Sequence, residues 1–436
     1  MSETTIKKGG FHYAFVIFVG GCCLSMGGMA LTLSILGVYL GPKATELGST
    51  PGDFALWAAV ATITSAIVMS FWGRFLQTKN INVCITIAAL ILITGTLAMG
   101  FTTAVWQTYI IGFWMGLGWA PIVTLGMPLL VGNWFAPSVR GRFLGIASAF
   151  TGVGTFIWAP SFTLIMQNFG IQTTYIANAI LMAVLILPFS IFLFKFKPED
   201  MGLKPYGHIE EDSATTAAQS AADKAGISVS KAFKTPTFWL FMFAMLFMGI
   251  GMGFNSNQPK MAAEFLEGLM QPEAIALLGA SMISVAAVGN ILSKIAFGWV
   301  VDKLGIRPAF IVFIVLYFLA FATWLLFPSM QIMLIVGAFL LGTHNSLMSV
   351  GIPLAVRTFY GNRDFSKIYA RIGVVAAVIS GLGTSVVAYI VQFVGSYTAS
   401  NYVGIVFVII MGTLLILALN LGKKYIPEAK LIPEDA

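Results

Sequence analysis

The sequence predicts an all-α membrane protein with about twelve transmembrane helices in two six-helix bundles, and three observations support this. First, 58% of the 436 residues are hydrophobic and 9% are charged, whereas soluble domains carry about 25% charged residues. Second, twelve apolar runs are each long enough to cross a bilayer, for which about 20 residues suffice. Third, a polar segment splits these runs six and six. The predicted domains are a first bundle over 1–195, a cytoplasmic linker over 196–236 and a second bundle over 237–436.

The twelve predicted spans are defined by continuous hydrophobicity. Glycine, alanine and serine recur within them, which permits close contact between helices. The linker contains the stretch HIEEDSATTAAQSAADKAG, whose low complexity is typical of a flexible connection. In order, the spans cover 12–41, 54–77, 81–101, 105–134, 143–168, 172–195, 237–260, 275–302, 308–327, 331–360, 366–394 and 400–422.

Lysine and arginine set the predicted orientation. With the N-terminus in the cytoplasm, nearly all of these residues fall in inner loops, while Lys43 and Lys260 fall outside and Lys294 falls in the membrane. Such an inner excess is typical of membrane proteins. The start, MSETTIKKGGFHYAF, has no small-residue cleavage site, so we expect no removed signal peptide. We therefore expect a multi-pass protein of the bacterial inner membrane with both termini in the cytoplasm.

The eighth span carries a lysine, Lys294, within an apolar stretch of nearly thirty residues. A lysine inside a membrane costs roughly 2.5–3.5 kcal/mol on insertion scales. One interpretation is that its side chain reaches the inner lipid headgroups. However, Asp302 marks the inner end of the span and lies about 12 Å away at the helical rise. Binding of an anion explains the lysine better.

The acidic residues support an anionic ligand. None of the 17 aspartate and glutamate residues lies in the middle of a span. A carrier of cations needs a central carboxylate, so the sequence disfavours cationic drug efflux. The same absence leaves Lys294 without an intramembrane partner, and an unpaired buried charge is unfavourable. Either the site is wet, or the lysine is partly neutral when empty, or an anion completes the site. An anionic substrate accounts for the lysine most directly.

Polar and aromatic residues at similar depth are the candidate partners of Lys294. Amides and hydroxyls donate to a carboxylate, and aromatic rings line an apolar cavity. For each residue alone, helix–helix hydrogen bonding or packing is the competing interpretation. For His344 the alternatives are titration coupled to proton transport and a neutral ring bonded to nearby backbone. The candidates are Asn290, His344, Asn345, Asn255, Asn257, Trp119 and Ser25, while Thr151 and Thr155 are expected to bond between helices.

Several function classes are excluded by what the sequence lacks. No glycine-rich phosphate loop with its lysine is present, so ATP does not drive the protein directly. Cys22, Cys23 and Cys84 have no metal-binding spacing. The formal charge of +7 is scattered over loops, which disfavours nucleic acid as a partner. We therefore expect no enzymatic activity, no metal and no cofactor.

Related motifs recur six spans apart. SFWGRFLQTKN follows the second span and AFGWVVDKLGIR follows the eighth. Together with the six-plus-six division, these motifs resemble those of the major facilitator superfamily. The resemblance implies that this chain has the fold of that superfamily and a substrate site near the midplane between the halves. The resemblance also implies a gating or structural role at the inner helix ends. The residues that match are Gly298, Asp302 and Arg307, with Arg142 expected near the same gate.

A narrower resemblance is to the oxalate/formate antiporter family, a bacterial branch similar to monocarboxylate transporters. It rests on loop motifs that occur in the same order, among them KPEDMGLKPYG, KTPTFW, NWF, RG and FYG. In that family an asparagine is followed four residues later by an arginine that contacts the substrate carboxylate. Asn290 and Lys294 occupy these positions, one helical turn apart. The family's second deep cation is absent from 372–394, which favours a monoanion or a zwitterion over a dianion.

The sequence thus predicts a secondary transporter of a small organic anion, most consistent with a monocarboxylate, that works by alternating access. Uptake by symport and anion exchange both remain open, with a proton or a counter-anion as the coupled species, and a monomer is expected. One alternative is efflux of neutral or hydrophobic compounds, which the many Met and Phe residues would suit. Another is a transporter-like sensor, which the short tails and linker disfavour.

Overall fold

The computed structural model describes residues 12–78, 80–207 and 225–425. The termini, Lys79 and the middle of the predicted linker lie outside these residues. Within them the chain is helical apart from short connections. Eleven stretches are long and apolar enough to span a membrane, and one of them, Val139–Leu193, is 55 residues long. Gly170 breaks that stretch with φ 80° and ψ 170°, so it contains two spans and the described chain contains twelve.

We number the spanning helices α1 to α12. Helix α1 covers 14–46 and joins Ala14–Ser25, the π-helical Met26–Ser34 and Leu36–Glu46. Helices α5 and α6 lie on either side of Gly170, over 137–169 and 171–193. The others are α2 Pro51–Thr78, α3 Ile81–Met99, α4 Val105–Trp134, α7 Pro236–Leu266, α8 Pro272–Leu304, α9 Ile306–Leu326, α10 Gln331–Tyr360, α11 Phe365–Val394 and α12 Tyr397–Gly422.

Most helices extend beyond the ends predicted from hydrophobicity. A helix can continue into polar residues because its backbone groups still form their hydrogen bonds there. Helix α1, for example, continues five residues past the predicted end at 41. Its Lys43 is fully buried. The Lys43 ammonium donates to Glu46 Oε2 at 3.1 Å and to Thr102 O at 3.2 Å, which anchors this end of α1 to the loop after α3.

The buried apolar residues form two clusters. One extends from Ala14 to Phe194 and includes Ala280 and Ile283 of α8, and the other extends from Ile227 to Leu419. The division into bundles over 1–195 and 237–436 stays a prediction. For description, α1–α6 are called the N-terminal half and α7–α12 the C-terminal half. Because each half contains six spans, the described ends of the chain lie on one side of the molecule, which we call the inner side.

The connection after α6 returns to the inner end of the N-terminal half. Tyr206 N–H donates to Trp134 O at 2.9 Å, and Ala136 N–H donates to Tyr206 O at 3.0 Å. The Tyr206 ring packs edge-on against Phe15 and Phe135. This segment therefore belongs structurally to the loop that joins α4 to α5.

The segment before α7 makes the equivalent contact with the C-terminal half. Ile227 N–H donates to Tyr360 O at 2.9 Å, and the backbone after α10 donates to Ala225 O. Asp364 accepts from the Lys367 ammonium and from Val229 N–H, and these hydrogen bonds lower the pKa of its carboxyl from the ordinary value. The loops after α4 and α10 thus each hold one end of the connecting segment.

Contacts between the halves concentrate on the outer side and in the middle. At the outer ends, Tyr389 O–H of α11 donates to Asp53 Oδ1 of α2 at 2.5 Å. Gln167 Nε2 of α5 donates to Glu273 O of α8 at 2.8 Å. Near the middle, Ser284 Oγ of α8 donates to Phe156 O of α5 at 3.0 Å.

The inner ends of the same four helices are more open. A Cβ built on each of four glycines there would meet nothing within 4 Å. These glycines belong to α2, α5, α8 and α11, the helices that face the opposite half, and are Gly73, Gly145, Gly298 and Gly373. Among the described residues, hydrogen bonds therefore join the halves at the outer ends and in the middle, whereas these inner glycines have no close neighbour.

Candidate functional site

A cavity of about 90 Å³ lies between the halves near the middle of the spans. Six helices contribute to it, α1 and α5 of the N-terminal half and α7, α8, α10 and α11 of the C-terminal half. The π-helical part of α1 supplies Met29, Leu33 and Ser34. The remaining wall consists of Thr151, Gly152 and Thr155 of α5, Met252, Asn255 and Ser256 of α7, Ile283, Ala286, Ala287 and Asn290 of α8, Gly342 and Asn345 of α10, and Ser380 and Thr384 of α11.

Asn290 places an unsatisfied amide at this cavity. Its Oδ1 atom is buried and has no hydrogen-bond partner among the described residues, and its Nδ2, the atom that could donate to an anion, bonds to none of them either. The helix brings Asn290 close to α10, because Gly342 is so near that a Cβ there would overlap Ala286 O and lie 3.0 Å from Asn290 N. Glycine is therefore required for the close approach of α8 and α10 beside the cavity.

Lys294 lies one helical turn inward of Asn290 on the same face of α8. Its side chain is partly buried and is not part of the cavity wall. Within the described part of the chain it forms no hydrogen bond and no ion pair. One turn is about 5.4 Å of rise, which an extended lysine side chain can cover. Lys294 is thus a cation without a counter-ion at the inner edge of the cavity.

Three amides reach the cavity wall from three helices of the C-terminal half. Asn255, Asn290 and Asn345 come from α7, α8 and α10. The Oδ1 atom of Asn255 accepts from Gln258 Nε2 at 2.8 Å, so its amide nitrogen remains to donate elsewhere. With Lys294, these groups form a one-sided set of donors. The donor set suits an anion that has few atoms and several acceptor lone pairs.

The N-terminal half supplies a less polar wall. Met29 and Leu33 are apolar, and the Thr155 hydroxyl is already bonded to Thr151 O at 2.8 Å. The sequence assigned Thr151 and Thr155 to helix bonding, and both nevertheless line the cavity. Both lie at about the same depth in the membrane as Asn290, and this depth was the sequence feature that could have assigned them to the cavity. The contrast between the two walls means that charge recognition is concentrated on α7, α8 and α10.

Four other candidates lie outside the cavity wall, although they were named with the same depth argument. Asn257 Nδ2 donates to Gly253 O at 2.8 Å and to Thr384 O at 3.2 Å, and its Oδ1 accepts from Tyr397 O–H at 3.2 Å. It therefore joins α7 to α11 and α12. Its amide has no group left for a ligand.

His344 packs behind the cavity inside the C-terminal half. Its ring stacks on Tyr317 with centroids 4.8 Å apart. Its Nδ1 lies 2.7 Å from Leu341 O and must carry the proton, because a carbonyl only accepts. Its buried Nε2 has no partner among the described residues and lies beside Gly251 of α7. The Nδ1 contact agrees with the backbone-bonded alternative, and whether the ring titrates stays a prediction.

Trp119 and Ser25 also have roles within the N-terminal half. Trp119 is buried, with its ring 6.5 Å from that of Trp57. Ser25 is buried and its hydroxyl donates to Gly21 O at 3.2 Å. Neither belongs to the cavity wall in this conformation, and their assignment to substrate binding stays a prediction.

The inner end of α8 contains the residues predicted to form the gate. Asp302 and Arg307 are exposed, and Asp302 makes no ion pair with any residue that the structure describes. Arg142 at the inner end of α5 is exposed as well. Their gating role stays a prediction about the conformation in which the inner side closes.

The family of the chain follows from its twelve spans and the midplane cavity together with a sequence comparison. A model described as Major Facilitator Superfamily matches residues 14–280 and 270–434. The chain belongs to the major facilitator superfamily. This confirms the predicted fold class, an all-α membrane protein with the major facilitator fold.

Among curated proteins, the chain is similar to the hexuronate transporter of Bacillus subtilis (strain 168), with 25% identity over 201 residues. That match spans 46% of this chain and 44% of the relative, so less than half of each is compared. Among solved structures, the nucleoside transporter NupG is 13% identical with a TM-score of 0.66, covering 94% of this chain and 98% of that one.

A second solved structure is a bacterial homolog of the human lysosomal transporter Spinster in an inward-facing, unoccupied conformation. It is 14% identical with a TM-score of 0.68, covering 95% of this chain and 99% of that one. At these identities the likeness to solved structures concerns the fold alone.

Proposed function

We propose that this protein is a secondary transporter of a small organic anion, most specifically a monocarboxylate, and that Lys294 is the anion anchor. The observation that carries the proposal is the unpaired Lys294 beside a cavity lined by three amides of the C-terminal half. An uncompensated charge in a membrane protein is unfavourable. A carboxylate supplies both the missing charge and acceptors for the amide donors.

The size of the cavity supports a small substrate. Ligand pockets commonly have volumes of about 300–1,000 Å³, whereas this cavity has about 90 Å³. A carboxylate with a few carbon atoms suits that space better than a sugar acid does. The similarity to a hexuronate transporter agrees with the chemical class, because a hexuronate also bears one carboxylate.

The charge count supports a monoanion. Lys294 is the one lysine or arginine in the middle of a span, and 372–394 of α11 contains none. A dianion would leave one carboxylate without a cation. The Asn290–Lys294 spacing resembles that of the oxalate/formate antiporter family, while the missing second cation favours a monocarboxylate over the dianion oxalate.

The transport cycle that we propose is alternating access. The halves rock about the midplane cavity, so that the outer contacts open as the inner ends close. Symport with a proton and exchange for another anion are both compatible with the site. We further propose a monomer in the bacterial inner membrane, with the inner side and both termini in the cytoplasm, as the lysine and arginine distribution indicates.

Ligand-induced thermal stabilisation of the purified protein tests the proposal. A ligand that binds the folded state raises the apparent melting temperature. Formate, acetate, lactate and benzoate would be compared with their amides and with small amines, using wild type and Lys294→Gln. We expect carboxylates alone to stabilise the wild type and to lose this effect in Lys294→Gln. Equal stabilisation of both proteins by neutral compounds would contradict the proposal and favour efflux of such compounds.

A further inference from the structure

A second and larger cavity lies on the outer side, between α1 and α5 of one half and α7 and α8 of the other. Its volume is about 680 Å³, within the range of ligand-binding pockets. Its walls are mostly apolar and include Val38, Met166 and Ile275. A hydrophobic body of several carbon atoms could therefore bury most of its surface there.

A tight contact separates this outer cavity from the central one. Gly37 of α1 packs so closely that a Cβ would overlap Ser256 O and lie 2.8 Å from Ile283 Cδ1. Ser256 and Ile283 line the central cavity, while Gly37 lines the outer one. One turn of α1, α7 and α8 thus closes the passage between the two cavities.

The outer cavity contains a lysine with no counter-ion. Lys260 of α7 is partly buried and lines the cavity, and its Nζ lies 3.2 Å from where a Cβ on Gly41 would stand. Among the described residues it forms no hydrogen bond or ion pair. It is the one lysine or arginine among the lining residues.

Two carboxylates that also line this cavity, Glu264 and Glu267, form no ion pair with Lys260. Glu264 lies one turn further along α7, the usual spacing for a helical ion pair. Both of its oxygens instead accept from Tyr397 N–H, at 2.8 and 3.0 Å, at the start of α12. That helix N-terminus stabilises the Glu264 charge. Glu267 is exposed at the rim.

We propose that the outer cavity is a second binding site, and that its ligand is a monocarboxylate with a bulky apolar body. The carboxylate pairs with Lys260, and the apolar body packs on Val38, Met166 and Ile275. Such a ligand is too large for the central cavity and cannot pass the Gly37 contact. It is bound without being carried.

A ligand in this cavity inhibits transport. It contacts both halves, so it favours the closed outer side over any conformation in which those helices separate. Inhibition would lower the maximal rate of uptake rather than the apparent affinity for the small substrate. This consequence rests on the proposed transport function, whereas binding at Lys260 does not.

Calorimetric binding of phenylbutyrate and its neutral analogue phenylbutanamide tests the site. The protein would be held in lipid nanodiscs, with empty nanodiscs to subtract partition into lipid. We expect wild type to bind phenylbutyrate at least about tenfold more tightly than the amide, as a charge-assisted contact predicts. Lys260→Gln should lose this preference, and Lys294→Gln should keep it.

Two results would overturn the proposal. One is that Lys260→Gln binds phenylbutyrate with the same affinity as wild type. The other is loss of binding in Lys294→Gln alone, which would place the ligand in the central cavity. The two proposals fail separately: if acetate binds Lys294→Gln as it binds wild type, the central anchor is wrong, while the phenylbutyrate result at Lys260 stands on its own.

Discussion

At the scale of single residues, the side-chain amides of Asn290 and Asn257 differ in whether their hydrogen-bonding atoms already have partners. The Asn257 side chain has both of its polar atoms bonded, to Gly253, Thr384 and Tyr397. The Asn290 side chain bonds to no described residue through either Oδ1 or its donor Nδ2, and it lies beside a cavity. A satisfied amide stabilises the fold, whereas an unsatisfied one at a cavity is available to a ligand.

This difference predicts opposite effects of the same substitution. Asn290→Leu should leave the melting temperature of the empty protein unchanged or raise it, because a buried unsatisfied group costs about 1–3 kcal/mol. It should weaken carboxylate binding by about tenfold or more, because a hydrogen bond to a charged group contributes about 1.5–3 kcal/mol. Thermal unfolding with and without acetate measures both effects.

Asn257→Leu is the matched control for Asn290→Leu. It removes three hydrogen bonds, two of which connect α7 to α11 and α12, so we expect a clear loss of melting temperature without acetate. An Asn290→Leu protein that melts far below wild type yet binds acetate normally would show that Asn290 is structural.

The depth of the site residues could be predicted from the sequence, but the direction of each side chain could not. Asn255 and Asn257 differ by two residues, which rotates them about 200° around a helix of 3.6 residues per turn. One of them must therefore face away from any given cavity. Which one does so depends on the neighbours that α7 packs against, and the same holds for His344 and Asn345 on α10. Lys294 could be found because its charge is conspicuous at any orientation.

At the scale of helices, hydrophobicity predicted the number and order of spans, while the local backbone form required the structure. The segments Met26–Ser34, Ala120–Leu125 and Leu347–Gly351 are π-helical and lie in α1, α4 and α10. Such segments are rare and frequent at functional sites. They have no sequence signature, because their wider turns depend on packing against adjacent helices.

Glycine contacts between helices give a prediction at this scale. Gly342→Ala should lower the melting temperature strongly, because its Cβ would overlap Ala286 O where α10 crosses α8. Gly145→Ala is the matched control on α5, where a Cβ meets nothing within 4 Å. Alanine there gains helix propensity of up to about 1 kcal/mol. Equal melting temperatures of the two variants would contradict the close approach of α8 and α10.

At the scale of the whole molecule, the central and outer cavities lie in series along the boundary between the halves. On the outer side, the Tyr389–Asp53 and Gln167–Glu273 O hydrogen bonds join the halves. The sequence predicted two bundles but not this arrangement, because inward- and outward-facing conformations share the same helices. They differ in a few contacts of modest energy, and no helix-forming pattern encodes which set is made.

Counterflow in proteoliposomes tests the central claim, that Lys294 anchors a transported carboxylate. Vesicles loaded with unlabelled acetate or lactate would be diluted into the labelled anion, with wild type, Lys294→Gln and Lys294→Arg reconstituted at equal density. The account predicts accumulation of label by wild type, partial or full retention in Lys294→Arg because the charge is kept, and loss in Lys294→Gln. Wild-type accumulation by Lys294→Gln would contradict it.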